Sequence, residues 1–279
     1  MKRNVTSFTA MVLIFISLLM MSGLFSGIIS EFVYFAAFAV PISIGYIADL
    51  KERKREEEHD REYKEPRSYF SFNKDIVSLF TPTVFPTVAL ILAVSYLTSF
   101  IIFALSGKTN STDIGDNLFL ALVRHALLPA ILEEALFRYM PLRMLARHSG
   151  KVTVIISSLY FALAHNSLFS IPYALVAGVI FITLDLMCES VWPSVILHLI
   201  NNIISVIWIM YSGSEIFASV YYGVITGAAL ICGVFILINR KKYTDAIHTV
   251  LSYGDSPEFM YEPLLLAVPI LVMAMFEFI

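Results

Sequence analysis

The chain has 279 residues, of which 58% are hydrophobic and 15% charged, with a formal net charge of -3 at pH 7 and a mean hydropathy of +0.78. These values exclude an ordinary soluble domain and indicate the bilayer as solvent, while near-neutrality excludes a nucleic-acid partner. The two cysteines, Cys188 and Cys232, sit in apolar segments, which excludes a disulfide framework or a four-cysteine zinc cluster and makes them packing residues.

A basic tip, Lys2 and Arg3, precedes an apolar stretch over 8–29. The stretch is too long for a signal-peptide core and lacks a small-x-small cleavage site, so it is read as a retained first span. Its Gly23 and Gly27 form a GxxxG pair at which another helix could approach closely. Further segments long enough to cross the hydrocarbon core as helices fall near 31–49, 77–105, 117–146, 152–170, 172–189, 192–211, 215–239 and 263–279. The expected fold class is therefore all-α, a polytopic membrane bundle of about eight or nine transmembrane helices.

The stretch KERKREEEHDREYKEPR, 51–67, mixes both signs and reads as a solvated helical extension of the second span rather than a lipid-binding polybasic patch. SGKTNSTDIGD, 106–116, falls on the outer side, and its Asn110-Ser111-Thr112 matches a glycosylation acceptor that matters only in a host that glycosylates there. Basic clusters at Lys2 and Arg3, at 51–67, at Arg143, Arg147 and Lys151, and at Arg240, Lys241 and Lys242 lie at alternate ends of successive spans, so the N-terminus is expected in the cytosol. No convincing internal repeat is visible, which disfavours a transporter built from inverted repeats.

Charges inside such spans need a reason, because a carboxylate near a helix centre costs about 2.5–3.5 kcal/mol on the insertion scale. In LLPAILEEALFRYMPLR, Glu134 and Arg138 are four apart and share a helix face, whereas Glu133 is rotated by about 100° from its neighbour. Glu134 is placed to pair with Arg138, and Glu133 is left to face whatever cavity the bundle encloses. YFALAHNSLF sets Phe161 and His165 on one face, and PSVILHLINNIISVIW does the same for His198 and Asn202. Counted from the cytosolic ends, Glu133 and His165 lie at matching depths. His198 is expected nearer the cytosol unless its helix is tilted or begins deeper. Taken singly, each histidine could serve only as interhelical glue, as could Asn202, and Phe161, Trp192 and Trp208 as packing or interfacial residues. The conjunction of a carboxylate, two histidines and an amide in three spans points to chemistry. Asp185, in TLDLMC, is either a further site member or a helix-packing acid.

In these residues the sequence resembles the CPBP family of intramembrane proteases, which includes type II CAAX prenyl endopeptidases and bacterial proteins linked to bacteriocin processing and self-immunity. The family's EExxxR, FxxxH and HxxxN patterns read here as EEALFR (Glu133, Glu134, Arg138), FALAH (Phe161, His165) and HLINN (His198, Asn202), in family order. The resemblance covers about 117–211. It implies that Glu133 and His165 hold and deprotonate a water that attacks a peptide carbonyl, that His198 and Asn202 donate to the oxyanion, and that Glu134 and Arg138 support the site. In the family's metalloprotease version the imidazoles and Glu133 hold a divalent ion such as zinc. The spacing leaves both open. An amide in the fourth position suits an oxyanion donor better than a zinc ligand, so the reading adopted requires no metal. The expected organisation is N-terminal membrane helices with a charged cytosolic loop over 1–110, a catalytic membrane core over 111–240, and a cytosolic loop with a C-terminal helix over 241–279. The expected partners are the lipid bilayer and a membrane-associated peptide or protein substrate. A non-catalytic immunity or partner protein, and an ion-coupled transporter, are the competing classes.

Overall fold

The computed structural model describes residues 2–59, 69–72, 74, 76–107, 114–146, 149–165, 167 and 169–252. The Asn110 to Thr112 triplet, Arg147 and the 263–279 span lie outside them. The described residues form no strand and nine helices. They are α1 (Lys2–Ser22), α2 (Gly27–His59), α3 (Val84–Ser106, entered through a π turn at Ile76–Phe80 and a 3-10 turn at Thr81–Thr83), α4 (118–144), α5 (Gly150–Ala164), α6 (Ile171–Cys188), α7 (Trp192–Tyr211), α8 (Glu215–Ile238) and α9 (Arg240–Ser252). Five stretches are long and apolar enough to cross a membrane: Gly27–Arg55, Ile76–Ser106, Ile171–Cys188, Trp192–Tyr211 and Glu215–Ile238. The chain is an all-α, multi-pass membrane bundle.

One apolar core runs through α1 to α7. Phe8, Phe15, Phe38, Val88, Phe137, Tyr160, Phe161, Phe181 and Leu197 all belong to it, with Phe15 edge-on to Phe137 and Phe137 edge-on to Phe161. Helix α8 contributes no buried residue, and side chains such as Ile216, Val224, Ile231 and Leu237 point outward, as lipid-facing residues do. Helix α5 packs tightly on α6, since a Cβ on Gly178 would come 2.9 Å from Ser158 Cα. Helix α2 continues through 51–59 as expected for the charged extension.

The GxxxG pair does not form a packing face. Helix α1 ends at Ser22, Gly23 lies in the turn, and Gly27 opens α2 with φ +62. These glycines serve the reversal between the two helices, where a left-handed residue is needed.

Prolines set the course of α4. It is interrupted by π turns at Val123–Leu127 and Ala135–Tyr139, each ending two residues before a proline, Pro129 or Pro141. The π turn at Ile76–Phe80 likewise precedes Pro82. A proline has no N–H for the carbonyl four residues back, so that carbonyl is released to other donors. The Phe137 carbonyl, four before Pro141, accepts from Ser157 Oγ and from Arg138 Nη1. The Ser78 carbonyl, four before Pro82, accepts from Lys242 Nζ at 3.1 Å.

Helix α9 straps the ends of α3, α5 and α6. Tyr243 donates to the Leu79 carbonyl at 3.3 Å, Leu251 packs near Leu142, Val154 and Ile182, and the Val250 carbonyl lies so close to Gly150 that a Cβ there would sit 1.9 Å from it. On α2, Asp49 is fully buried and binds two arginines, Arg53 at 2.7 Å and Arg143 at 2.7 Å, which ties α2 to the end of α4.

Candidate active site

Helices α4, α5, α6 and α7 bring the charged residues together around Phe161. Glu134 and Arg138 are both buried on α4, with Nε 3.2 Å from Oε2. That pair is an ion pair without an aligned hydrogen bond, since neither atom has a hydrogen-bond partner among the described residues. The guanidinium lies over the Phe161 ring at 4.2 Å and near Phe181 at 5.6 Å, so aromatic faces share the work of holding the buried cation.

The other carboxylate oxygen of Glu134 meets His198 Nδ1 at 2.7 Å. Glu134 therefore anchors two cation-forming groups at once, one from its own helix and one from α7. This places His198 level with Glu134, not nearer the helix ends as its position in the span suggests. The start of α7 is partly enclosed, with Ser190, Val191 and Ser194 buried and Trp192 exposed. Helix α6 closes with Glu189 in the left-handed region at φ 50, and the short turn before Trp192 is covered by residues 69 and 70, whose carbonyls accept from Val191 N–H at 2.9 Å and Trp192 Nε1 at 3.1 Å.

His165 also differs from its expected setting. It is not within a helix but is the C-cap of α5, which stops at Ala164, so the expected 152–170 span is cut short. A break in helix at this depth is tolerated where it lines a polar site rather than lipid. His165 Nδ1 lies 2.9 Å from the Phe161 carbonyl. A carbonyl only accepts, so Nδ1 carries the proton and Nε2 is left as an acceptor. The His165 ring is edge-on to Phe161 at 4.8 Å, and the His198 ring is edge-on to the same phenyl at 5.8 Å. Phe161, read from the sequence as packing, is thus the hub against which both histidines and Arg138 are set.

Glu133 is half-buried and makes no ion pair among the described residues. It lies within electrostatic range of His198, of Tyr34 on α2 and of Tyr173 on α6. Asn202 is half-buried one turn beyond His198 and has no side-chain hydrogen bond among the described residues. Asp185, left open by the sequence, is fully buried on α6, and its Oδ1 accepts the Ser194 N–H at 2.9 Å. Sequence reasoning did not find Ser157, Ser194, Tyr34 or Tyr173. The signal for Ser157 was Pro141, whose missing N–H frees the carbonyl that Ser157 holds.

Among the described residues no three His, Cys, Asp or Glu side chains gather as a group that could hold a metal ion. Both imidazoles spend Nδ1 on protein oxygens and Glu134 lies between Arg138 and His198. Each Nε2 is thereby left free, and an Nδ1–H held by a carbonyl or carboxylate suits either proton transfer or metal ligation.

No curated protein and no solved structure matches the chain. Residues 115–204 match the family model described as type II CAAX prenyl endopeptidase Rce1-like. That segment carries EEALFR, FALAH and HLINN, and over this third of its length the chain is similar to the type II CAAX prenyl endopeptidases of the Rce1-like family.

Proposed function

We propose that this protein is an intramembrane endopeptidase that cleaves a membrane-associated peptide or protein by attack of an activated water. The observation that carries this reading is the division of labour between the two adjacent glutamates. Glu134 is consumed by Arg138 and His198, whereas Glu133 beside it has no ion-pair partner among the described residues. In the proposed reaction Glu133, with His165 Nε2, takes a proton from a water as its oxygen bonds to the peptide carbonyl carbon. The resulting oxyanion receives hydrogen bonds from His198 Nε2 and the Asn202 amide. The C–N bond then breaks and the proton passes to the departing amine. Because His198 gives Nδ1–H to Glu134, it offers a second N–H to the oxyanion only as the imidazolium, with the Glu134 carboxylate as the acceptor on its other side. Glu134 and Arg138 act as supports.

The basic clusters support a cytosolic N-terminus. The test is incubation of purified wild-type and Glu133→Ala protein with a panel of membrane peptides, one carrying a prenylated C-terminus, followed by mass spectrometry. New product masses with the wild type alone are the expected result. No cleavage of any peptide by the wild type, or equal cleavage by both proteins, refutes the proposal.

A further inference from the structure

Helix α7 carries His198, and the acceptors for its first turn come from residues before the N-cap, Ser190 Oγ taking the Trp192 N–H at 3.3 Å. Its N-cap residue is Val191, which has no side-chain acceptor, and the first turn contains Pro193. Ser194 is the third residue of the helix, so its N–H has no partner within the helix. Asp185, nine residues earlier on α6, supplies one across the turn at 2.9 Å. The Asp185 carbonyl also accepts the Ser190 N–H at 3.0 Å, so the one residue closes the turn with both backbone and side chain. The side chain is fully buried, Oδ2 has no hydrogen-bond partner, and Asp185 makes no ion pair with Arg138 among the described residues. Ser194 and His198 are four apart and share a helix face. Fixing the first therefore fixes the height and rotation of the second.

We propose that Asp185 is a positioning residue of the site: by capping the start of α7 through Ser194, it sets the register at which His198 meets Glu134. Three of the molecule's helices are involved, with α6 holding the end of α7 and α7 holding His198 against α4. No motif of the family resemblance includes Asp185. Its predicted effect on turnover rests on the protease reading, but its effect on the His198 to Glu134 contact does not.

Asparagine at 185 keeps an acceptor oxygen and leucine removes it at similar size, so this pair separates the cap from mere bulk. Protein labelled with 15N at histidine, purified in detergent, gives a hydrogen-bonded His198 Nδ1–H signal by NMR, assigned by its loss in His198→Gln. The signal is expected to persist in Asp185→Asn and to be lost or broadened in Asp185→Leu at unchanged helical content. On a cleaved peptide, Asp185→Leu should lower kcat by about 10–100-fold with KM nearly unchanged, as a misplacement of about an ångström does, and Asp185→Asn should stay close to wild type. Should the leucine variant not accumulate, Asp185→Ala reads the same contact. An intact His198 signal in a folded leucine or alanine variant overturns the proposal, as does an asparagine variant as damaged as leucine. Failure of both leucine and alanine variants to accumulate, while asparagine does, also overturns it and makes Asp185 a folding residue. A lost His198 signal alongside a wild type that cleaves no peptide sinks the protease reading and leaves the positioning role standing.

Discussion

His198 Nδ1 stands 2.7 Å from Glu134 Oε1 although 64 residues separate them in the chain. The contact turns a same-helix ion pair into a three-membered arrangement with Arg138, and it settles which of the two adjacent glutamates is engaged by the fold.

The first prediction follows from that inequality. Glu133→Gln should abolish peptide cleavage at normal folded yield. Arg138→Leu should lower both yield and melting temperature, because removing one partner of a buried pair leaves an uncompensated charge, at a cost of about 3–5 kcal/mol. Yields and thermal unfolding of the two variants decide the matter, and equal losses would contradict the division of roles.

A second prediction concerns the proposed oxyanion donors. His198→Ala and Asn202→Ala should each reduce kcat by about 10²–10³ with substrate binding largely retained. Activity should survive a chelator. Stoichiometric zinc in the purified wild type that disappears in His165→Ala and His198→Ala, with reversible chelator inactivation, would replace the metal-free reaction by a metal-assisted one.

The strap predicts a paired result at two glycines. A Cβ at Gly150 meets the Val250 carbonyl at 1.9 Å, whereas one at Gly213 meets nothing within 4 Å. Gly150→Ala should displace α9 and destabilise the fold by about 1–3 kcal/mol, as forced overpacking does. Gly213→Ala should be nearly silent. Thermal unfolding and protease sensitivity of α9 measure the difference.

At the tie between α2 and α4, Asp49→Ala should leave Arg53 and Arg143 without their shared carboxylate and lower stability by more than a surface ion pair would, about 1 kcal/mol or above. A melting temperature unchanged from wild type would show that the two helices are held by apolar packing alone.

Sidedness gives the last prediction. If the basic clusters set the topology, a cysteine at Ser71 should react with an impermeant thiol reagent only from the cytosolic side and one at Gly213 only from outside. The reverse pattern would invert the protein in the membrane.

Hydropathy placed helices at eight of the nine expected spans, five of them long and apolar enough to cross a membrane, and the ninth lies outside the described residues. The pairing of Glu134 with Arg138 was legible from four-residue spacing, a local property of one helix. The height of His198 was not, since it depends on how deep the turn after Glu189 is set, and residues 69 and 70 cover that turn from far away in the chain. The early end of α5 at Ala164 escaped notice for a related reason. Asn166, Ser167 and Ser170 follow His165, but an average over 152–170 stays apolar, and hydropathy does not register where backbone geometry breaks.

A π turn holds one residue more than the α-helical geometry around it needs, so the two halves of α4 are out of phase with each other by about 100°. The first half aims Glu133 and Glu134 at the site, and the second half aims Arg143 at Asp49. Chain length between them is therefore itself an encoded quantity. Removing a single residue within Ala135–Tyr139 would leave an unbroken, still apolar helix that no hydropathy profile could tell from the original. Its two ends could no longer both reach their partners, and the protein would have to surrender either the glutamates or the tie to α2.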